Sequence, residues 1–173
     1  MIERLDREAN RISVPHAMPG PGVLQNKVDA EQQIYNCTGM KKEGILVDAS
    51  AVLAVILEEP EKDSIVKATA GCEAKAPGCL RWEVGNAFSA MAKRGRLEPE
   101  KTFAALKVFE MIPMQEVEVD LGEALEMALE NDIYAYDAYY LAAAKKHRVE
   151  LLSLDQRMLE VAKNEGITIR KIK

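Results

Sequence analysis

From Gly44 onward, short apolar runs alternate with helical segments, and this alternation limits the possible folds more than any other feature of the chain. Ile45-Leu46-Val47, behind Gly44, has the pattern of a strand buried on both faces. Helical patterns follow over Ala49 to Glu58, ending near Pro60, and over Glu61 to Ala70, stopped by Gly71. A short strand is expected around Cys79-Leu80, leading into a helix from Trp82 to Lys93 that Gly95 ends. A further helix follows Pro99 through Phe103, Leu106 and Phe109, and Gln115 to Val119 alternates as a half-buried strand does. Helices over Leu121 to Leu129 and Ala135 to Lys146, a strand over Glu150 to Leu154, a helix over Gln156 to Asn164 and a last strand over Ile167 to Ile172 complete the reading. Strands separated by helices require crossovers, and crossovers give a mainly parallel sheet covered on both faces. The expected architecture is one three-layer α/β/α domain with a central sheet of roughly five strands.

Residues 1–43 do not share the pattern. Pro15-His16-Ala17-Met18-Pro19-Gly20-Pro21-Gly22 admits neither a regular helix nor a central strand. The chain therefore divides into an irregular N-terminal extension, 1–43, and a folded domain, 44–173, with Met40 as an alternative start just before the first apolar run. No apolar run approaches the roughly 20 residues that span a bilayer, and the charged N-terminus lacks an apolar signal core, so a cytoplasmic location without membrane contact is expected.

Cys37, Cys72 and Cys79 are odd in number and widely spaced, which reads as reduced thiols rather than a disulfide framework. With only His16 and His147 besides, a zinc site of the His/Cys kind is hard to assemble, whereas hard cations held by carboxylate oxygens are not excluded. The net charge of −5 is a weak argument against a nucleic-acid partner, because metal-binding carboxylates themselves make a nuclease acidic.

In open α/β sheets, ligands bind beyond the carboxyl ends of the strands. Asp48 follows Ile45-Leu46-Val47 directly, and Asp155 closes Leu151-Leu152-Ser153-Leu154. Glu83 and Asp137 fall in the first turns expected for their helices, and Asn86 shares a helix face with Glu83, where it could orient that carboxylate. Each acid has a plainer explanation, since Asp caps helices and acids in a first turn complement the helix dipole. That explanation suffices for Asp155. It is weaker for Asp48 and Asp137, which stand in the apolar contexts Ile-Leu-Val-Asp-Ala-Ser-Ala-Val and Ala-Tyr-Asp-Ala-Tyr-Tyr-Leu-Ala. Several buried carboxylates together are costly, and a divalent cation removes the cost.

Four stretches make the chain recognisable: Ile-Leu-Val-Asp48-Ala-Ser50-Ala, Trp82-Glu83-Val-Gly-Asn86-Ala, Tyr136-Asp137-Ala-Tyr-Tyr-Leu-Ala-Ala-Ala and Leu-Leu-Ser153-Leu-Asp155-Gln-Arg157-Met. In this order they resemble the PIN domain family, and within it the VapC-type toxins of bacterial and archaeal toxin–antitoxin pairs. The resemblance implies that Asp48, Glu83, Asp137 and Asp155 form the catalytic acids, with Asp48, Asp137 and Glu83 on Mg2+ or Mn2+. Ser50 matches a hydroxyl position beside the metals, and Ser153 stands where such proteins usually carry Thr. It further implies endoribonuclease activity on single-stranded or looped RNA leaving a 5′-phosphate, a cognate antitoxin and a homodimer. The extension has no counterpart in the family pattern.

Cations must meet the RNA backbone near this rim, and Arg81 and Arg157 adjoin the Glu83 and Asp155 motifs. Lys93, Arg94 and Arg96 lie close by, although Lys93-Arg94 also suits a solvated helix end. Tyr136, Tyr139 and Tyr140 could stack on bases, but such spacing more often marks core or interface. An aspartyl-phosphate phosphatase would need a second Asp where Ser50 stands, and a nucleotide-binding domain would need a glycine-rich loop after the first strand. The remaining alternative is a PIN-like module for RNA processing, or one that binds RNA or protein without catalysis.

Overall fold

The computed structural model describes residues 43–172, so the extension lies outside the described residues apart from Glu43. Four parallel strands, β1 (Gly44–Val47), β2 (Glu73–Pro77), β3 (Gln115–Val117) and β4 (Glu150–Leu152), stand in the order β3-β2-β1-β4. Among the described residues seven helices flank them: α1 (Ala49–Ile56), α2 (Lys62–Thr69), α3 (Cys79–Lys93), α4 (Pro99–Met111), α5 (Leu121–Glu130), α6 (Ala135–His147) and α7 (Gln156–Asn164). The parallel α/β class is as expected.

β1 sits in the middle of the sheet, pairing with β2 through Leu46 and Lys75 and with β4 through Leu46 and Leu151. Ile45, Leu46, Leu151 and Leu152 are all at most 1% exposed, which is why these strands read as continuous apolar runs. α6 lies across β2, β1 and β4, and its Ala138, Leu141, Ala142, Ala143 and Ala144 let it approach the sheet closely. α1 buries six of its eight residues, so it shows no solvent face in sequence.

Three expected elements differ. The strand anticipated at Cys79-Leu80 is instead the start of α3, and the strand before it is Glu73-Ala-Lys-Ala-Pro. Its interior residues are small or charged rather than β-branched, so propensity did not mark it; parallel pairing on both sides holds it in place. The early helix start puts Glu83 in the second turn rather than the first. The closing strand over Ile167 to Ile172 reduces to one bridge, Leu151 to Ile169, with Leu151 N–H donating to the Thr168 carbonyl and Arg170 N–H to that of Leu151 (both 2.9 Å). β4 is only three residues long, because the chain turns at Ser153 toward Asp48, and little edge remains to pair with. Phe103 is 66% exposed, and Ala105 is the fully buried residue of α4.

Candidate active site

Asp48 is the first residue beyond β1 and has no exposed surface. Its extended backbone turns the chain into α1, and its Oδ1 accepts from Ala51 N–H at 3.1 Å, so it does cap a helix. Capping accounts for only part of its surroundings. The Ser50 hydroxyl reaches both carboxylate oxygens, at 2.7 and 2.9 Å, and the Ser153 hydroxyl donates to Oδ2 at 2.9 Å. Each serine in turn accepts a backbone proton from the β4 side: Leu154 N–H on Ser50 Oγ (2.9 Å) and Asp155 N–H on Ser153 Oγ (3.0 Å). Two hydroxyls thus lock the tips of β1 and β4 together around one carboxylate. Ser50 and Ser153 are its immediate supports.

Asp155 caps α7 by accepting from Met158 N–H at 3.0 Å and is half-buried. It reaches Asp48 through its own backbone and the Ser153 hydroxyl.

Tyr140, fully buried on α6, has Glu83, Cys79 and Asp48 near it. Burial first, then the Glu83 carboxylate beside it, holds its phenol well above the ordinary tyrosine range, and the charge of Asp48 adds to the effect. Cys79 at the start of α3 belongs to the same group: burial and then Glu83 push its thiol up to about 12. Glu83 is 2% exposed. Asp137, 8% exposed, lies one helical turn before Tyr140 on the same face of α6. α6 leads into β4, whose first residue pairs with Ile45 near the start of β1, so the helix runs away from the rim and its first turn stands at the carboxyl end.

Among the described residues, the polar side chains classed as buried besides Tyr140 are Asp48, Glu83, Asp137 and Ser153, and no Lys or Arg is among them. Asp48, Glu83 and Asp137 are thus the buried acids among the described residues. Among the described residues, no group of three or more carboxylate, thiol or imidazole side chains is placed to hold a metal ion. The donor chemistry nevertheless fits Mg2+ or Mn2+, because a small hard cation keeps several waters and takes only one or two carboxylates.

The supporting residues fall into place unevenly. Asn86 is exposed and makes no hydrogen bond to Glu83, so it does not orient that carboxylate here. Arg81 is exposed on α3 two residues before Glu83. Arg157 is exposed, but its guanidinium donates to the Asn131 carbonyl at 2.8 Å and pairs with Glu160 at 3.7 Å, fastening α7 to the turn before α6. His147 lies two turns beyond Tyr140, against the Glu118 carbonyl. Tyr140 and Cys79 are site neighbours that the motifs did not assign, although the spacing of three from Asp137 to Tyr140 was there to be read.

Ser153→Ala removes the bond to Asp48 and leaves Asp155 N–H without its acceptor. We expect a loss of about 1–3 kcal/mol in a denaturant melt. A fall in any metal-dependent activity of about 10–100-fold should accompany it, as for other groups that hold a ligand in place. Ser153→Thr, which keeps the hydroxyl, should restore both.

The PIN domain family model matches residues 45–164. Ribonuclease VapC3 of Pyrobaculum aerophilum is 28% identical over 121 residues, spanning 67% of this chain and 92% of that protein. The crystal structure of PAE2754 from Pyrobaculum aerophilum superposes with a TM-score of 0.57 at 26% identity, covering 70% of this chain and 87% of that one. FitAcB from Neisseria gonorrhoeae shares the fold alone, with a TM-score of 0.51 at 15% identity over 73% of this chain and 96% of its own.

Proposed function

The chain belongs to the PIN domain family, and from that premise we propose that it is a Mg2+- or Mn2+-dependent endoribonuclease, the toxin of a VapBC-type toxin–antitoxin pair. The observation that carries the reading is the burial of Asp48, Glu83 and Asp137 at one rim of the sheet, where acids in such number favour a cation. The similarity to a protein named Ribonuclease VapC3, across almost all of its length, supports RNA as the substrate.

In this reading Asp48, Asp137 and Glu83 would hold the cation, directly or through the waters it keeps, and Asp155 would tune the site through Ser153. A bound cation would supply Lewis acidity at the scissile phosphate and toward an attacking water. Ser50 and Ser153 fix the Asp48 carboxylate so that it need not reorganise, and the buried Tyr140 lies beside Glu83. Hydrolysis by water needs no covalent nucleophile. Burial, first of all, disfavours the thiolate of Cys79. Arg81 meets the RNA backbone, and Arg157 would do so on exchanging the Asn131 carbonyl for a phosphate. A homodimer working in the cytoplasm and an antitoxin partner complete the proposal; among the described residues no helix is long and apolar enough to cross a membrane.

The purified full chain should cut single-stranded RNA in Mg2+ to fragments with 5′-phosphates, and chelation should stop it. Induction in a bacterial host should arrest growth. RNA left intact with both metals would contradict the nuclease reading. Cleavage without growth arrest would point to RNA processing instead of a toxin.

A further inference from the structure

A cavity of about 360 Å³ opens at the carboxyl ends of β2 and β3, immediately beside the acidic site. Cys79 belongs to both: it lines the cavity and adjoins Glu83 and Tyr140. Pro77 and the ring of Tyr139 give the cavity apolar walls, and Tyr139 is held by Tyr136, the ring centroids 5.5 Å apart and tilted by 53°. Its charged groups are Glu116 and Glu118. The Glu116 carboxylate lies over Gly78, where a Cβ would come within 2.8 Å of Oε1, so a larger residue there would make this exposed side chain shift.

The lining contains no Lys or Arg, and two carboxylates repel a phosphate, so the cavity is not a backbone site. An aromatic wall beside carboxylate acceptors suits a flat, neutral ring that presents N–H donors. Among nucleobases, guanine alone offers two adjacent donors, N1–H and the N2 amino group, to one carboxylate. Adenine and cytosine place a ring acceptor next to their amino group, and uracil flanks its single N–H with carbonyls, so each sets an acceptor against the carboxylate. We propose that this cavity is a guanine subsite, with Glu116 reading the Watson–Crick edge and Tyr139 stacking on the base, and that it places a guanosine next to the scissile phosphate. The inference rests on the RNA-cleaving reading of the adjacent acids.

Two measurements on the full chain test it and keep that dependence separable. In equilibrium titrations, guanosine should bind about tenfold or more tighter than adenosine, cytidine or uridine, the low end of what one bidentate base contact discriminates. Glu116→Gln, an exposed and conservative change, should erase the preference, and Tyr139→Leu should weaken all four nucleosides. In cleavage of RNAs differing only in the base beside the scissile bond, the wild type should favour G by a similar factor and Glu116→Gln should not. Guanosine preference without any cleavage supports the subsite and defeats the nuclease reading. Cleavage without a G preference that depends on Glu116 overturns the subsite and spares the nuclease. Tighter binding of acetyl-arginine amide than of guanosine also overturns it, in favour of a pocket for a protein partner's side chain.

Discussion

Asp48→Asn should yield a folded protein whose RNA cleavage is down by about a thousandfold or more, the equivalent of the several kcal/mol that a metal-held charge contributes to such a reaction. The structure explains why the fold survives. The amide oxygen can still accept from Ala51 N–H, so α1 keeps its cap. Ser50 and Ser153 donate to the carboxylate now, but each hydroxyl has a second lone pair and can turn to accept from the new amide while keeping its bond from Leu154 or Asp155. Removing a charge from a position with no exposed surface also lifts a desolvation cost, so the melting temperature should be unchanged or raised. Loss of activity together with loss of structure would mean that Asp48 is chiefly a cap.

Asp137→Asn should produce a loss of the same order, with at most about 1 kcal/mol of stability forfeited from the weakened interaction with the α6 dipole. Because both acids act on one centre, the double variant Asp48→Asn/Asp137→Asn should be no slower than the worse single variant. Parallel rate measurements on the three proteins decide this. Drops that multiply in the double variant would assign the two acids to separate tasks, and an Asp137→Asn protein with wild-type rate would remove it from the site.

Much of this site could be read from the sequence because its acids interrupt apolar runs, and a charge at such a point needs a reason. Asp48 after Ile45-Leu46-Val47 and Asp137 among Ala and Tyr are the examples, and both are buried. The bond from Ser153 to Asp48 was beyond local reading, since it joins residues 105 apart and depends on β4 lying beside β1. Tyr140 was legible as a buried residue but not as a neighbour of Glu83, because that contact depends on how α3 and α6 meet. Asn86 shows the reverse: helical spacing places it near Glu83 along the helix, yet its side chain is exposed. The strand Glu73 to Pro77 escaped notice because tertiary pairing, rather than residue preference, makes it a strand. Glu83 moved from the first helical turn to the second for the same reason, the helix beginning at Cys79 once β2 ends at Pro77.

The central claim is that buried carboxylates at the end of β1 make a cation-dependent RNA-cutting centre. Cleavage of one single-stranded RNA by the wild type and by Asp48→Asn, followed across a Mg2+ titration that starts in excess chelator, tests it most directly. The wild type should rise from background to a saturating rate as Mg2+ is added, and Asp48→Asn should stay near background throughout. Cleavage by the wild type that persists in chelator, or an Asp48→Asn curve that overlays the wild type, would contradict the account.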